Sequence, residues 1–219
     1  MRNLFAQFAR AQRGVAAIEF ALLLPLLVLM MLSSVELQRY LRIERQLSLA
    51  AENIANIVAQ RQSSDVTKPN FDFDAIYHLF PPGNEHPTLT WSSYIVHKIT
   101  NVVFTPTVSG CTANCTYTAN AAWIWPSYDS AFSPGVMARS CGPLTAAASG
   151  ASPTGKTIPA AMFGPGSVVI VDIGYRFTPL FGSNLVPSID LFRQGYANAR
   201  FASPYIQFPA GLTTRCAGY

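Results

Sequence analysis

The sequence predicts an α+β fold in which a long N-terminal transmembrane helix runs on into an extracytoplasmic antiparallel β-sheet domain. Three observations carry this expectation. Residues 15–32 are almost unbroken apolar residues, the residues after them keep a helical period up to about Gln60, and from Thr88 onward the period falls towards two.

Val15 to Leu32 reads VAAIEFALLLPLLVLMML, interrupted only by Glu19 and Pro25. That is close to the ~20 apolar residues needed to span a bilayer as a helix. Pro25 removes the hydrogen bond to the carbonyl of Ala21, a loss that membrane helices tolerate, and it predicts a kink. A transmembrane segment is therefore expected over 15–34. Beyond Ser33 the residues Tyr40, Ile43, Leu47, Ala50, Ile54 and Ile57 follow each other at steps of three and four, while Glu36, Arg39, Arg42, Arg45 and Glu52 occupy the other faces. This amphipathic continuation, 35–62, is expected to lay its stripe on the domain that follows rather than on a lipid surface, because acids and arginines are mixed on its polar side. A linker follows over Ser63 to Pro69, and a β-rich domain over 70–219.

In that domain Cys115, Tyr117, Ala119, Ala121, Trp123 and Trp125 fall on one face and Thr116, Thr118 and Asn120 on the other, as a strand with one buried face requires. The two tryptophans read as core rather than as a ligand platform. Tyr94 to Phe104 is a second strand, with an interruption near Asn101. Val168 to Phe177 is the strongest: Val169, Val171, Ile173, Tyr175 and Phe177 share one side, Asp172 and Arg176 the other, and Pro179 ends it. Tyr196 to Phe201 is expected to return beside it. The Pro-, Gly-, Ser- and Ala-rich stretch from Ser127 to Pro165 reads as a long irregular excursion.

Half of the 219 residues are apolar and only 12% are charged, which suits an envelope or assembly protein better than a cytosolic one. The net charge of +4 is mostly local, since Arg2, Arg10 and Arg13 stand in the first fourteen residues with no acid beside them. With no basic run or basic–aromatic stripe elsewhere, nucleic acid is excluded as a partner. Cys111, Cys115, Cys141 and Cys216 all follow the apolar segment, outside the cytoplasm if that segment crosses the membrane, and an even count there favours disulfides. A zinc knuckle would need CxxC pairs, and Cys111 to Cys115 is one residue too long. Four cysteines allow three pairings. Closeness in sequence favours Cys111 with Cys115, and Cys141 with Cys216 would then tie the excursion to the C-terminus.

Gly150 to Thr157 matches GxxxxGK[ST] letter for letter, with Val168 to Asp172 standing where an acid-ended strand would follow. A phosphate loop must open directly into a helix, and Pro159, Gly164, Pro165 and Gly166 deny one, so no nucleotide is expected. His78, His86 and His97 lack the i, i+4 spacing of a helical metal site and read as surface or loop residues. No GxSxG elbow or Cys–His arrangement presents a nucleophile. Catalytic, cofactor-binding and metal-binding residues are therefore expected to be absent, and the chain is not expected to be an enzyme.

The run Arg13-Gly14-Val15-Ala16-Ala17-Ile18-Glu19-Phe20, with a Leu-rich segment at once behind it, resembles the processing and assembly signature of Flp-type prepilins and their TadE/TadG-like pseudopilin relatives in tight-adherence pilus systems. Val168 to Leu180 is similar to a strand that closes TadE-like domains. The resemblance implies a pilin-like fold and a minor or accessory pseudopilin that helps assemble or anchor the pilus. It implies a cytoplasmic leader over 1–14 removed between Gly14 and Val15 by a prepilin-type peptidase, and Glu19 with Phe20 as assembly residues. The implied partners are the lipid bilayer, other pilin-like subunits and the assembly machinery. Arginines flank the apolar segment on both sides, so charge alone leaves its orientation open. The signature places the N-terminus in the cytoplasm and the C-terminal domain in the periplasm, across the inner membrane. Two other classes are a signal-anchored periplasmic binding or enzymatic domain, and a secreted domain behind an ordinary signal peptide. The second lacks an A-x-A-like cleavage site around Met31 to Glu36.

Overall fold

The computed structural model of the protein describes residues 15–60, 95–125, 139–151, 154–181, 187–200 and 214–219. The chain divides into two compact units, one made of Met1–Arg42 with Thr178–Pro187, the other of Ile43–Phe177 with Ser188–Tyr219.

Helix α1 runs over Val15–Ala59 and includes Pro25 without ending there. Gln60 N–H closes it by donating to Asn56 O at 3.1 Å. Among the described residues seven strands follow: β1 (Ile95–Pro106), β2 (Tyr117–Trp125), β3 (Pro143–Ala146), β4 (Thr157–Ile158), β5 (Gly166–Phe177), β6 (Ile189–Asn198) and β7 (Thr214–Arg215). They form one sheet in the order β4-β3-β2-β1-β5-β6, with β7 added to β2. The sheet is antiparallel except where β3 meets β4, which pair parallel. Two of these strands lie inside the stretch expected to be irregular. The return strand beside β5 spans Ile189–Asn198, earlier than the Tyr196 to Phe201 read from the sequence.

The C-terminal part of α1 belongs to the sheet-bearing unit. Ile43, Leu47, Ala50, Ala51, Ile54, Ala55, Val58 and Ala59 are buried there, while Ile57 is 40% exposed. The buried stripe is thus broader than expected and turned towards the alanines. The reason is a close approach: a Cβ on Gly195 of β6 would stand 2.1 Å from Ala51 O, so the helix backbone rests where β6 has no side chain. Arg200 N–H donates to Ala59 O at 3.0 Å, and Arg193 pairs with Glu44.

Residues directly opposite in an antiparallel pair share a face. Ile99, Val171 and Gly195 stand opposite one another across β1, β5 and β6, which puts Val169, Val171, Ile173 and Tyr175 on the side of the sheet that meets the helix. The other side holds a second core of Val102, Phe104, Ala119, Ala121, Ile124, Leu144, Ile158, Val168 and Ile170. Phe163, which packs against this core, meets the Phe104 ring at 5.3 Å.

Between Asn101 and Val102 the β1–β2 register shifts: Asn101 faces Trp123 and Val102 faces Ala121, so Ala122 is an extra residue. A bulge of this kind inverts the alternation beyond it. Trp123 and Trp125 consequently share the face of Asn101 and Ile99, opposite to Ala119 and Ala121, and the single face read from Cys115 to Trp125 is split in two. Ala122 O accepts from Cys216 N–H at 2.9 Å, and Ala121 N–H donates to Gly142 O at 3.2 Å.

That edge of β2 carries β3 and β7 end to end, each through two residues. The disulfide Cys141–Cys216, with Cα atoms 5.3 Å apart, joins them where they meet. Cys111–Cys115 lies in the loop between β1 and β2, where Gly110 and Asn114 take positive φ.

Candidate anchoring and assembly surface

The residues with the strongest functional signal lie on the first half of α1. Leu, Met and Ala favour the helical state, and from Ile18 to Met31 their side chains stand out from it. Leu22 is 74% exposed, and none of the helix's most apolar eighteen-residue window is buried. Soluble monomers rarely expose an apolar patch of more than a few hundred Å². By length and composition α1 is able to cross a membrane.

Val15 is the first residue of the helix, and Gly14 lies outside the described residues. Glu19 and Phe20 are both exposed, on the first turns of the helix. Glu19 is four residues, or about 6 Å of helical rise, beyond Val15.

Just past the apolar run, Glu36 makes an arrangement that the sequence did not announce. Its Oε1 accepts from the backbone N–H groups of Leu180 and Phe181 at 2.7 and 2.9 Å, and its Oε2 accepts from Arg39 at 3.0 Å. The two amides lie 144 and 145 residues from Glu36, and the only sequence hint is Pro179, just past the end of β5, after which the next two amides have no strand to join.

Within the sheet-bearing unit the polar cluster is internal. Arg139 Nε donates to Asp172 Oδ2 at 2.7 Å and its Nη2 to Oδ1 at 3.3 Å, while Nη1 reaches the carbonyls of Gly155 and Thr157. Gln194 Nε2 donates to Asp172 Oδ1 at 2.8 Å, and Tyr196 donates to Gln194. Burial pushes the Asp172 carboxyl up, against the pull of the Arg139 guanidinium, the Gln194 amide and Lys98. Burial likewise raises the Tyr196 hydroxyl to about 12. The groups are engaged with one another, an arrangement suited to locking strands together.

His97, expected at the surface or in a loop, lies in β1 with its Nε2 buried and its ring 4.9 Å from that of Trp125. Burial lowers its pKa to about 4. His78 and His86 lie outside the described residues. In the stretch matching a phosphate loop, Thr157 and Ile158 form β4, and a three-residue 3-10 turn, Ala160–Met162, follows. A strand stands where the loop would need its helix. Among the described residues no group of three or more His, Cys, Asp or Glu is placed to hold a metal.

The residues that matter most to identity are those of the exposed helix. A family model described as TadE-like protein matches residues 14–56. The matched segment begins at Gly14 and ends three residues before the end of α1, so it coincides with the helix and stops short of the sheet. The similarity noted for Val168 to Leu180 lies outside it. No curated protein matches the chain, and no solved structure does.

Proposed function

We propose that this chain is a membrane-anchored, pseudopilin-like structural protein of a tight-adherence pilus, a minor or accessory subunit that helps assemble or anchor the fibre. One observation carries the reading: the TadE-like match coincides with the one helix, among the described residues, that is long and apolar enough to span a bilayer. The exposed half of that helix lies in the inner membrane with the N-terminus cytoplasmic, and the disulfide-bonded sheet domain lies in the periplasm.

The role of Glu19 follows from cost. A carboxylate in an apolar span is unfavourable by up to about 3 kcal/mol at mid-bilayer, less near the end, and a partner offsets this. Removal of residues 1–14 by a prepilin-type peptidase creates an α-ammonium at Val15, and the Glu19 of one subunit pairs with the Val15 ammonium of its neighbour. Co-purification from detergent-extracted membranes tests this. Wild-type protein should bring down other pilin-like subunits, and Glu19→Ala should stay in the carbonate-resistant membrane fraction yet lose most of that association. Unchanged association would remove Glu19 from the mechanism.

A further inference from the structure

Leu180 and Phe181 invert the usual order of a water-facing turn. Their large apolar side chains are 63% and 47% exposed, while the Glu36 carboxylate that holds their amides is only 15% exposed at its side chain. An exposed apolar pair beside a half-buried, locally answered charge is the informative deviation on a protein surface. The charge is also answered locally, by two N–H donors and by Arg39 at 3.0 Å.

We propose that Leu180 and Phe181 form a second membrane contact, a pair of apolar side chains seated in the headgroup layer beside the spanning helix, with Glu36 as the residue that positions them. This inference rests on the reading of α1 as a membrane anchor.

Depth is the argument. Glu36 is four residues beyond Leu32, where the apolar run ends, a rise of about 6 Å. Each headgroup layer is about 5–8 Å thick. Helical side chains lean towards the N-terminus, which here is towards the bilayer, so the Glu36 carboxylate and the two amides on it sit within that layer. Phe at this level is favoured by lipid in a way that water does not match, and the exposed apolar surface of α1 continues directly into it. The occupant is therefore lipid and not a second copy of the chain.

Photo-crosslinking of the full chain in bilayers of phosphatidylethanolamine and phosphatidylglycerol tests the proposal. p-Benzoylphenylalanine replaces Phe181 in one sample and Leu27, in the middle of the span, in another. Both positions should give lipid adducts. In Glu36→Ala the adduct at position 181 should fall by about tenfold or more, since the loss of even one hydrogen bond to a charged group is worth about that factor, with the adduct at position 27 unchanged. Glu36→Gln, which keeps an acceptor oxygen for the two amides, should restore most of it. An adduct to a second copy at position 181, or none, overturns the proposal while lipid labelling at position 27 leaves the anchor standing. No lipid adduct at position 27 overturns both. Lipid labelling at 181 that Glu36→Ala does not change removes the positioning role of Glu36 and with it the proposal.

Discussion

Arg139 is held by a carboxylate on β5 and by two backbone carbonyls around β4, with its side chain wholly buried, so its removal should be felt far beyond one contact. Breaking a buried pair by removing one partner typically costs about 3–5 kcal/mol, while replacing both with apolar residues is often neutral. Arg139→Met should therefore destabilise the sheet by that amount in urea unfolding, and Arg139→Met combined with Asp172→Leu should recover most of it. His97 supplies a second test. Its ring titrates at about 4 when folded against 6.5 when free. Above pH 6.5 both states are neutral; as pH falls from 6.5 to 4 only the unfolded chain gains the proton. Stability should drop by about 3 kcal/mol across that window and then level off. The difference curve between wild type and His97→Phe isolates this slope. In the sequence, Asp172 stood opposite an apolar row like any solvent-facing residue of a strand. Nothing local reveals that Arg139, 33 residues earlier, covers it.

At the scale of elements, α1 was the most legible part, because a 3.6-residue period persists from the apolar run through Ile54 and identifies both the helix and the side that packs. The sheet was legible where β-branched and aromatic residues are dense, as in β1 and β5, and illegible where small residues carry the contact. β6 was read too late in the chain because its inward positions include Gly195 and Ala197, whose lack of bulk serves the close helix and leaves little hydrophobic signal. The two-residue period read from Cys115 to Trp125 carries no sign of a break, because Ala121 and Ala122 are alike in the sequence, yet one extra residue at Ala122 turns both tryptophans to the other face. Gly195→Ala examines the helix–sheet contact itself. The new Cβ would meet the Ala51 backbone, which has no rotamer to move aside, and a cost of about 3 kcal/mol or more is expected. Gly174→Ala should cost less, since the atoms in its way are the side chains of Phe192 and Val96.

For the whole molecule, the division of labour follows the composition. The first half of α1 is exposed and is long and apolar enough to cross a membrane, and the sheet-bearing unit has its own two-sided core and the Cys141–Cys216 staple. The sequence signal is local where it is linear, as in the run Gly14 to Phe20 at the start of the segment that the TadE-like family model matches. It was not legible at Glu36, whose partners come from the far end of β5. The central claim is that the TadE-like segment is a processed, pilin-like anchor, and the most direct measurement is the N-terminal sequence of the protein extracted from its native membrane. The account predicts Val15 as the first residue, with Glu19 then fifth in the chain. A protein that begins at Met1 would be an uncleaved anchor, and one that begins near Val35 would have lost its apolar segment to a signal peptidase; either result would contradict it.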